Sequence, residues 1–187
     1  MITALVLAAG ESKRTAPFLK PLMPMGGKTV IEVILEKLKK SSVDWTLVVL
    51  GREAGRIEAS IKGTEVGIVL NREYREGMLS SVKLGVTFED SDFLIFPVDH
   101  PLVEVKTIDL LIYNRDENRI VVPTYRGKRG HPILIPSPLA EELIRFRGRT
   151  LRDFVHERQI KEVEVDDEGV IINLNTPEDF RKYLEYG

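Results

Sequence analysis

The first apolar segment runs into small residues, Val6-Leu7-Ala8-Ala9-Gly10-Glu11-Ser12, and is followed by three cations, Lys13, Arg14 and Lys20. Small residues at the carboxyl end of a buried strand let backbone N–H groups come close to a ligand, and the cations supply charge for phosphate oxygens. A solvated basic loop is the plain alternative. The spacing fits neither G-x-x-x-x-G-K-[ST] nor G-x-G-x-x-G, which argues against a Walker-type nucleotide hydrolase and an ordinary dinucleotide enzyme. Asp99 follows the apolar run Phe93–Val98, so it emerges at the top of a strand, where open α/β sheets bind ligands. A carboxylate there can coordinate Mg²⁺ against phosphate oxygens, or it can simply cap a loop.

These groups need a scaffold, and the pattern around them supplies one. Short apolar runs at Ile2–Ala9, Thr46–Leu50, Val66–Leu70 and Phe93–Val98 alternate with amphipathic stretches. That alternation predicts a mostly parallel sheet flanked by helices. Val30, Ile31, Ile34, Leu35 and Leu38 recur at helical spacing within Thr29–Lys40, which predicts one buried face. Helices are also expected over Arg52–Lys62, Leu79–Thr87, Val105–Tyr113, Leu139–Phe146 and Leu151–Glu157. Phe93–Val98 carries no polar side chain and belongs at the sheet centre. Tyr125–Gly130, polar and rich in Gly, Lys and Arg, lies between β-like runs at Ile120–Pro123 and Ile133–Ile135 and reads as a hairpin. Asp166-Asp167-Glu168-Gly169 reads as a turn between strands at Val163–Val165 and Val170–Ile172. Thr176, Pro177 and Asp179 form the start signal of a closing helix. No repeat or linker divides the chain, so residues 1–187 are expected to be one domain.

Composition narrows the chemistry. The chain has 187 residues, 27 Lys+Arg against 29 Asp+Glu, 43% hydrophobic residues, no cysteine and 3 histidines. A chain of this length buries roughly 70% of its unfolded surface and needs no staples. Without cysteine there is no disulfide, zinc–thiolate site, iron–sulfur cluster or thiol nucleophile. His100, His131 and His156 form no HxxxH pair, so a bound metal is expected to be a hard cation on oxygen ligands, Mg²⁺ above all. A net charge of -2 gives no broad grip on nucleic acid. No basic leader or apolar run of ~20 residues is present, so no membrane partner is expected and the cytoplasm is the default location.

Leu7-Ala8-Ala9-Gly10-x-Ser12-x-Arg14, followed by Lys20-x-Leu22-x-Pro24, resembles the start of a nucleoside-triphosphate transferase domain of the molybdopterin cytidylyltransferase and guanylyltransferase family. Similar motifs follow in family order over nearly the whole chain. They are Asn71–Gly85 (NREYREGMLSSVKLG), Pro97-Val98-Asp99-His100-Pro101, Gly130-His131-Pro132, and Asn173-Leu174-Asn175-Thr176-Pro177-Glu178-Asp179. The chain departs from the family in having Thr15-Ala16 where Met-Gly is usual, and in placing Lys20 one residue late.

The resemblance implies a three-layer, Rossmann-like sheet of the nucleotide-diphospho-sugar transferase type with a β-hairpin excursion. It implies transfer of a nucleoside monophosphate from an NTP to a phosphorylated pterin, with Mg²⁺ as cofactor and pyrophosphate released. Leu7, Ala8, Ala9, Gly10, Ser12, Arg14, Lys20, Asn71, Gly77 and Ser81 would bind nucleotide, with Asn71 at base or ribose. Arg14, Lys20 and Asp99 would be catalytic, Asp99 and Asn175 would hold the metal, and His131 and Asn173 would face the acceptor. A molybdoenzyme is an implied partner, and the chain would be a monomer or small homo-oligomer. The first loop and Gly77–Ser81 resemble the cytidylyltransferase branch, whereas Asn173 and Asn175 resemble the guanylyltransferase branch, so CTP is expected over GTP. Two other readings stay open: a sugar- or polyol-phosphate acceptor, and a nucleotide or cofactor binder without turnover, to which only Thr15-Ala16 points.

Overall fold

Every residue of the first strand, Ile2–Ala8, is buried, and successive side chains enter different cores. Ile2, Ala4, Val6 and Ala8 pack into one, Leu5 and Leu7 into the other. A strand with no wet face belongs inside a sheet covered on both sides. The computed structural model, which describes residues 1–12 and 16–183, has that architecture. Its strands are β1 (Ile2–Ala8), β2 (Pro24–Met25), β3 (Lys28–Thr29), β4 (Trp45–Leu50), β5 (Gly67–Leu70), β6 (Asp92–Pro97), β7 (Ile120–Tyr125), β8 (Lys128–Arg129), β9 (Ile133–Ile135) and β10 (Ile160–Glu164). The helices are α1 (Val30–Lys39), α2 (Ala54–Ser60), α3 (Met78–Val86), α4 (Val105–Tyr113), α5 (Ser137–Arg145), α6 (Leu151–His156) and α7 (Pro177–Arg181).

The main sheet is eight-stranded, in the order β10-β7-β9-β6-β1-β4-β5, with β8 attached to β7. β9 runs antiparallel to both β6 and β7, while the pairs β1–β4, β1–β6, β4–β5 and β7–β10 are parallel. β6, apolar from Phe93 to Pro97, is at the centre, as its composition predicts. Leu94 and Phe96 enter the first core, Phe93 and Ile95 the second. Truncating either fully buried Phe would cost about 3–5 kcal/mol. Helices α1, α2, α4 and α7 cover the first core through Ile31, Ile57, Ile108 and Phe180. Helices α3, α5 and α6 cover the second through Val82, Leu143 and Phe154. This is a three-layer mostly parallel fold.

Helix α1 buries Val30, Ile31, Ile34, Leu35 and Leu38, the five residues that its spacing picks out. Thr29 and Glu32 close a reciprocal capping box, and Thr176 with Asp179 does the same for α7. Such a cap is worth about 1 kcal/mol. The hairpin is tighter than expected. Arg126 and Gly127, at φ 49 and 75, make a two-residue turn joining Tyr125 to its partner Lys128. Two consecutive positive φ angles are the turn that matches strand twist. Gly130 then passes so close to Val170 that a Cβ would sit 2.2 Å from the Val170 carbonyl oxygen.

Val170–Ile172 is not a strand, which corrects the expectation of two strands around residues 166–169. Asp167 is buried there, accepting from Gly169 N (2.8 Å), Glu104 N (2.8 Å) and Thr107 Oγ1 (2.7 Å). One carboxylate thus caps a 3-10 turn, Glu168–Val170, and holds it against the start of α4. A buried carboxylate must be fully hydrogen-bonded, and meeting that demand removes the segment from strand pairing.

Candidate active site

The chain leaves β1 toward β4 on one side and later returns as β6 on the other. Crevices form at such switch points above the carboxyl ends of strands. Leu7 pairs with Pro97, and Val98 N donates to Leu7 O at 3.3 Å, so the end of β1 and the approach to Asp99 are tied together. A cleft of about 370 Å³ opens above them. Its floor is the backbone of Leu7, Ala8, Ala9 and Gly10, with Ser12 beyond. Gly10 is exposed, and a Cβ there would meet nothing within 4 Å, so the space beside it is free for a ligand.

Opposite the floor, three distant segments converge. Lys20 opens a 3-10 turn, Lys20–Leu22, and its backbone N–H donates to Ser12 Oγ at 3.0 Å. Its Nζ donates to Asp99 Oδ2 at 3.3 Å and to Asn175 Oδ1 at 2.9 Å. The Lys20 and Asp99 side chains are 15% and 17% exposed, so the pair is half-shielded from solvent yet reachable. Leu174 N donates to Asp99 O at 2.8 Å, which carries Asn175 to the strand end. Asn175 is held in turn by the α7 cap, since Asp179 Oδ2 accepts from Asn175 N (3.0 Å) and Thr176 N (2.8 Å). Those backbone donors keep the Asp179 carboxyl below its ordinary range.

The third wall is the start of α3. Gly77, at φ 102, and Ser81 line the cleft. Asn71 does not line it. Buried beneath, it donates through Nδ2 to Ser80 Oγ and Ser81 Oγ, both at 2.9 Å, and accepts from Glu73 N at 2.9 Å. Asn71, the residue after β5, is thus tied to the start of α3. Tyr74, Arg75 and Met78 also line the cleft, and sequence reasoning missed them. The available signal was an aromatic–basic pair separated by Glu76 from a Gly-Met helix start.

His131 and Asn173 are not among the lining residues. Asn173 is exposed. The His131 ring lies 5.0 Å from that of His100, whose Nε2 is 3.8 Å from Asp99 Oδ1. His131 Nδ1 is buried without a partner, and burial, reinforced by His100, pushes the imidazole down to about 4. Burial likewise lowers His100. The two rings are thus neutral packing behind the Asp99 carboxylate. Arg14, like Lys13 and Thr15, lies outside the described residues.

A hard cation fits this donor set. Asp99 Oδ1 is buried and lacks a hydrogen-bond partner, and Asn175 presents an amide oxygen to the same ammonium that pairs with Asp99 Oδ2. Among the described residues no group of three or more His, Cys, Asp or Glu could hold a metal, and Asp99 with Asn175 would supply only part of a coordination shell. Mg²⁺ commonly binds that way, on one or two protein oxygens completed by water and substrate phosphate. Among the described residues no helix is long and apolar enough to cross a membrane.

Residues 4–163 match the MobA-like NTP transferase domain. The chain is 29% identical over 147 residues to a nicotine blue oxidoreductase of Paenarthrobacter nicotinovorans, covering 74% of this chain and 72% of that protein. It is 25% identical over 182 residues to the molybdenum cofactor cytidylyltransferase of Escherichia coli, covering 96% and 93%. A nucleotidyl transferase from Methanothermobacter thermautotroptrophicus superposes with a TM-score of 0.87 at 23% identity, over 97% of this chain and 95% of that one. A Mycobacterium tuberculosis protein solved in complex with manganese superposes at 0.82 with 26% identity, over 98% and 97%. The matched span takes in both the small-residue floor and Asp99, and the chain belongs to the MobA-like NTP transferase family of nucleotidyltransferases.

Proposed function

We propose that the chain transfers a nucleoside monophosphate, CMP in preference to GMP, from its triphosphate to the phosphate of a pterin acceptor, molybdopterin, and releases pyrophosphate. The observation that carries this reading is the convergence of a bare backbone floor with Lys20, Asp99 and Asn175 on one cleft at the switch point of the sheet. An acceptor phosphate oxygen forms a bond to the α-phosphorus. The bond from that phosphorus to the bridging oxygen of the β-phosphate breaks, and its electron pair leaves with pyrophosphate. A phosphate acceptor is already ionised near neutral pH, so no side chain has to remove a proton. That suits a cleft whose nearby histidines are held neutral.

The N–H groups of Leu7–Gly10 cradle the triphosphate, and Lys20 and Arg14 offset charge that accumulates on its oxygens. Asp99 and Asn175 would hold Mg²⁺, which would neutralise phosphate charge and polarise the phosphoryl group. CTP is favoured because Leu7–Gly10 together with Gly77, Met78 and Ser81, which resemble the cytidylyltransferase branch, border the cleft, whereas of the two residues that resemble the guanylyltransferase branch Asn175 borders it and Asn173 does not. The test is incubation with Mg²⁺, CTP or GTP, and parallel acceptors: molybdopterin, sugar phosphates and polyol phosphates. Pyrophosphate is expected with CTP and the pterin. Release only with a sugar or polyol phosphate would replace the acceptor. Redox turnover, of the kind the Paenarthrobacter relative's name describes, with no pyrophosphate from any pair would overturn the reading.

A further inference from the structure

We propose that Lys20 is a built-in counter-cation that occupies the divalent-metal position until nucleotide arrives, so that metal and nucleotide enter together. The inference rests on the metal assignment in the proposed function and concerns how that site is controlled. Lys20 Nζ lies 3.3 Å from Asp99 Oδ2 and 2.9 Å from Asn175 Oδ1, bridging the two side chains assigned to the metal. Mg²⁺ requires oxygens at about 2.0–2.1 Å in near-octahedral geometry, so a metal that spans Asp99 Oδ2 and Asn175 Oδ1 cannot sit there together with the ammonium. Among the described residues, Lys20 is the only Lys or Arg within ion-pair distance of Asp99.

The lysine is also built to leave. Its backbone is pinned, because its N–H donates to Ser12 Oγ at 3.0 Å and it opens a short 3-10 turn. The ammonium, by contrast, ends a flexible four-carbon stem and is a point charge with no directional fork. It points into the same cleft as Gly10 and Ser12, so phosphate oxygens delivered onto the floor compete with Asp99 for it. Transfer of the ammonium to phosphate uncovers Asp99 Oδ2 and Asn175 Oδ1 as the cation is needed. By linkage, nucleotide must raise metal affinity, and metal must raise nucleotide affinity by the same factor.

The test is Mn²⁺ binding to the full chain, read from the electron paramagnetic resonance of free Mn²⁺, first without nucleotide and then with CTP after correction for Mn²⁺ bound to free CTP. Lys20→Met and Lys20→Gln are compared with wild type, and circular dichroism checks each fold. Without nucleotide, both variants are expected to bind Mn²⁺ about tenfold tighter than wild type, equivalent to about 1.4 kcal/mol. Adding CTP should tighten wild type about tenfold and the variants much less. Asp99→Asn in the Lys20→Met background should abolish the gain. Folded Lys20 variants that bind Mn²⁺ no tighter than wild type overturn the proposal. If wild type releases pyrophosphate and yet Lys20→Met leaves Mn²⁺ binding unchanged, only the counter-cation falls. Tighter binding by the variants without pyrophosphate release by wild type overturns the transfer reading and leaves the counter-cation standing.

Discussion

The two sides of the cleft are made of different material. The floor, Leu7–Gly10, offers backbone, and an added Cβ at Gly10 would touch nothing. The opposite side is all side chain, with Lys20 reaching residues 79 and 155 positions away. A backbone surface is formed by strand geometry and is lost only when something obstructs it. A side-chain surface depends on three separate segments arriving in register. The first should therefore tolerate substitution in its fold but not in its ligand, and the second should respond to a single altered atom.

Asp99→Asn breaks the side-chain wall most sharply. It keeps the shape and removes the charge, so turnover is expected to fall by roughly 10²–10³-fold, the scale of losing one electrostatic contact to the reacting group. The melting temperature should barely move. Near-wild-type turnover would sink the metal assignment.

Asn71→Ala tests whether the third wall stands on a buried amide. It removes the Asn71 partner of Glu73 N–H and of the buried Ser81 hydroxyl, which should cost about 2–3 kcal/mol in denaturant unfolding. A drop in nucleotide affinity with no loss of stability would instead place Asn71 on the ligand.

His131 probes the packing behind Asp99. Its folded value is about 4 against an ordinary 6.5. Between those limits the unfolded chain binds a proton that the folded chain does not, so stability falls as pH drops from the higher value toward the lower. Wild type should lose about 2 kcal/mol more than His131→Asn between about pH 7 and about pH 5. Equal slopes would show that the ring is not held neutral.

Gly10→Ala has the smallest effect and separates the two sides most cleanly. Its melting temperature should be unchanged while the KM for NTP rises by about tenfold, a loss of about 1.4 kcal/mol in ground-state binding. A KM equal to wild type would mean that the ligand does not approach this part of the floor.

The same contrast decides what was legible in the sequence. The floor was, because its small residues stand at the end of a buried strand, and the α1 stripe and the Thr176–Asp179 cap follow from local spacing alone. The Lys20–Asp99–Asn175 junction was visible only as separate candidates, since nothing local in the sequence says that a lysine will bridge two proposed metal ligands. Val170–Ile172 departs from its expected strand because the buried Asp167 carboxylate draws that segment into a 3-10 turn, and the Asn71 amide, expected at base or ribose, is hydrogen-bonded to the start of α3. Tyr74 and Arg75 were overlooked because their place on the cleft is set by how α3 docks on the sheet.

The central claim, nucleotidyl transfer within this cleft, is tested most directly with CTP labelled in its α-phosphate. Wild-type protein, Mg²⁺ and molybdopterin should move the label into the pterin product in equal amount with unlabelled pyrophosphate, and Asp99→Asn should not. Label retained in CTP, or transferred equally well by Asp99→Asn, would contradict the account.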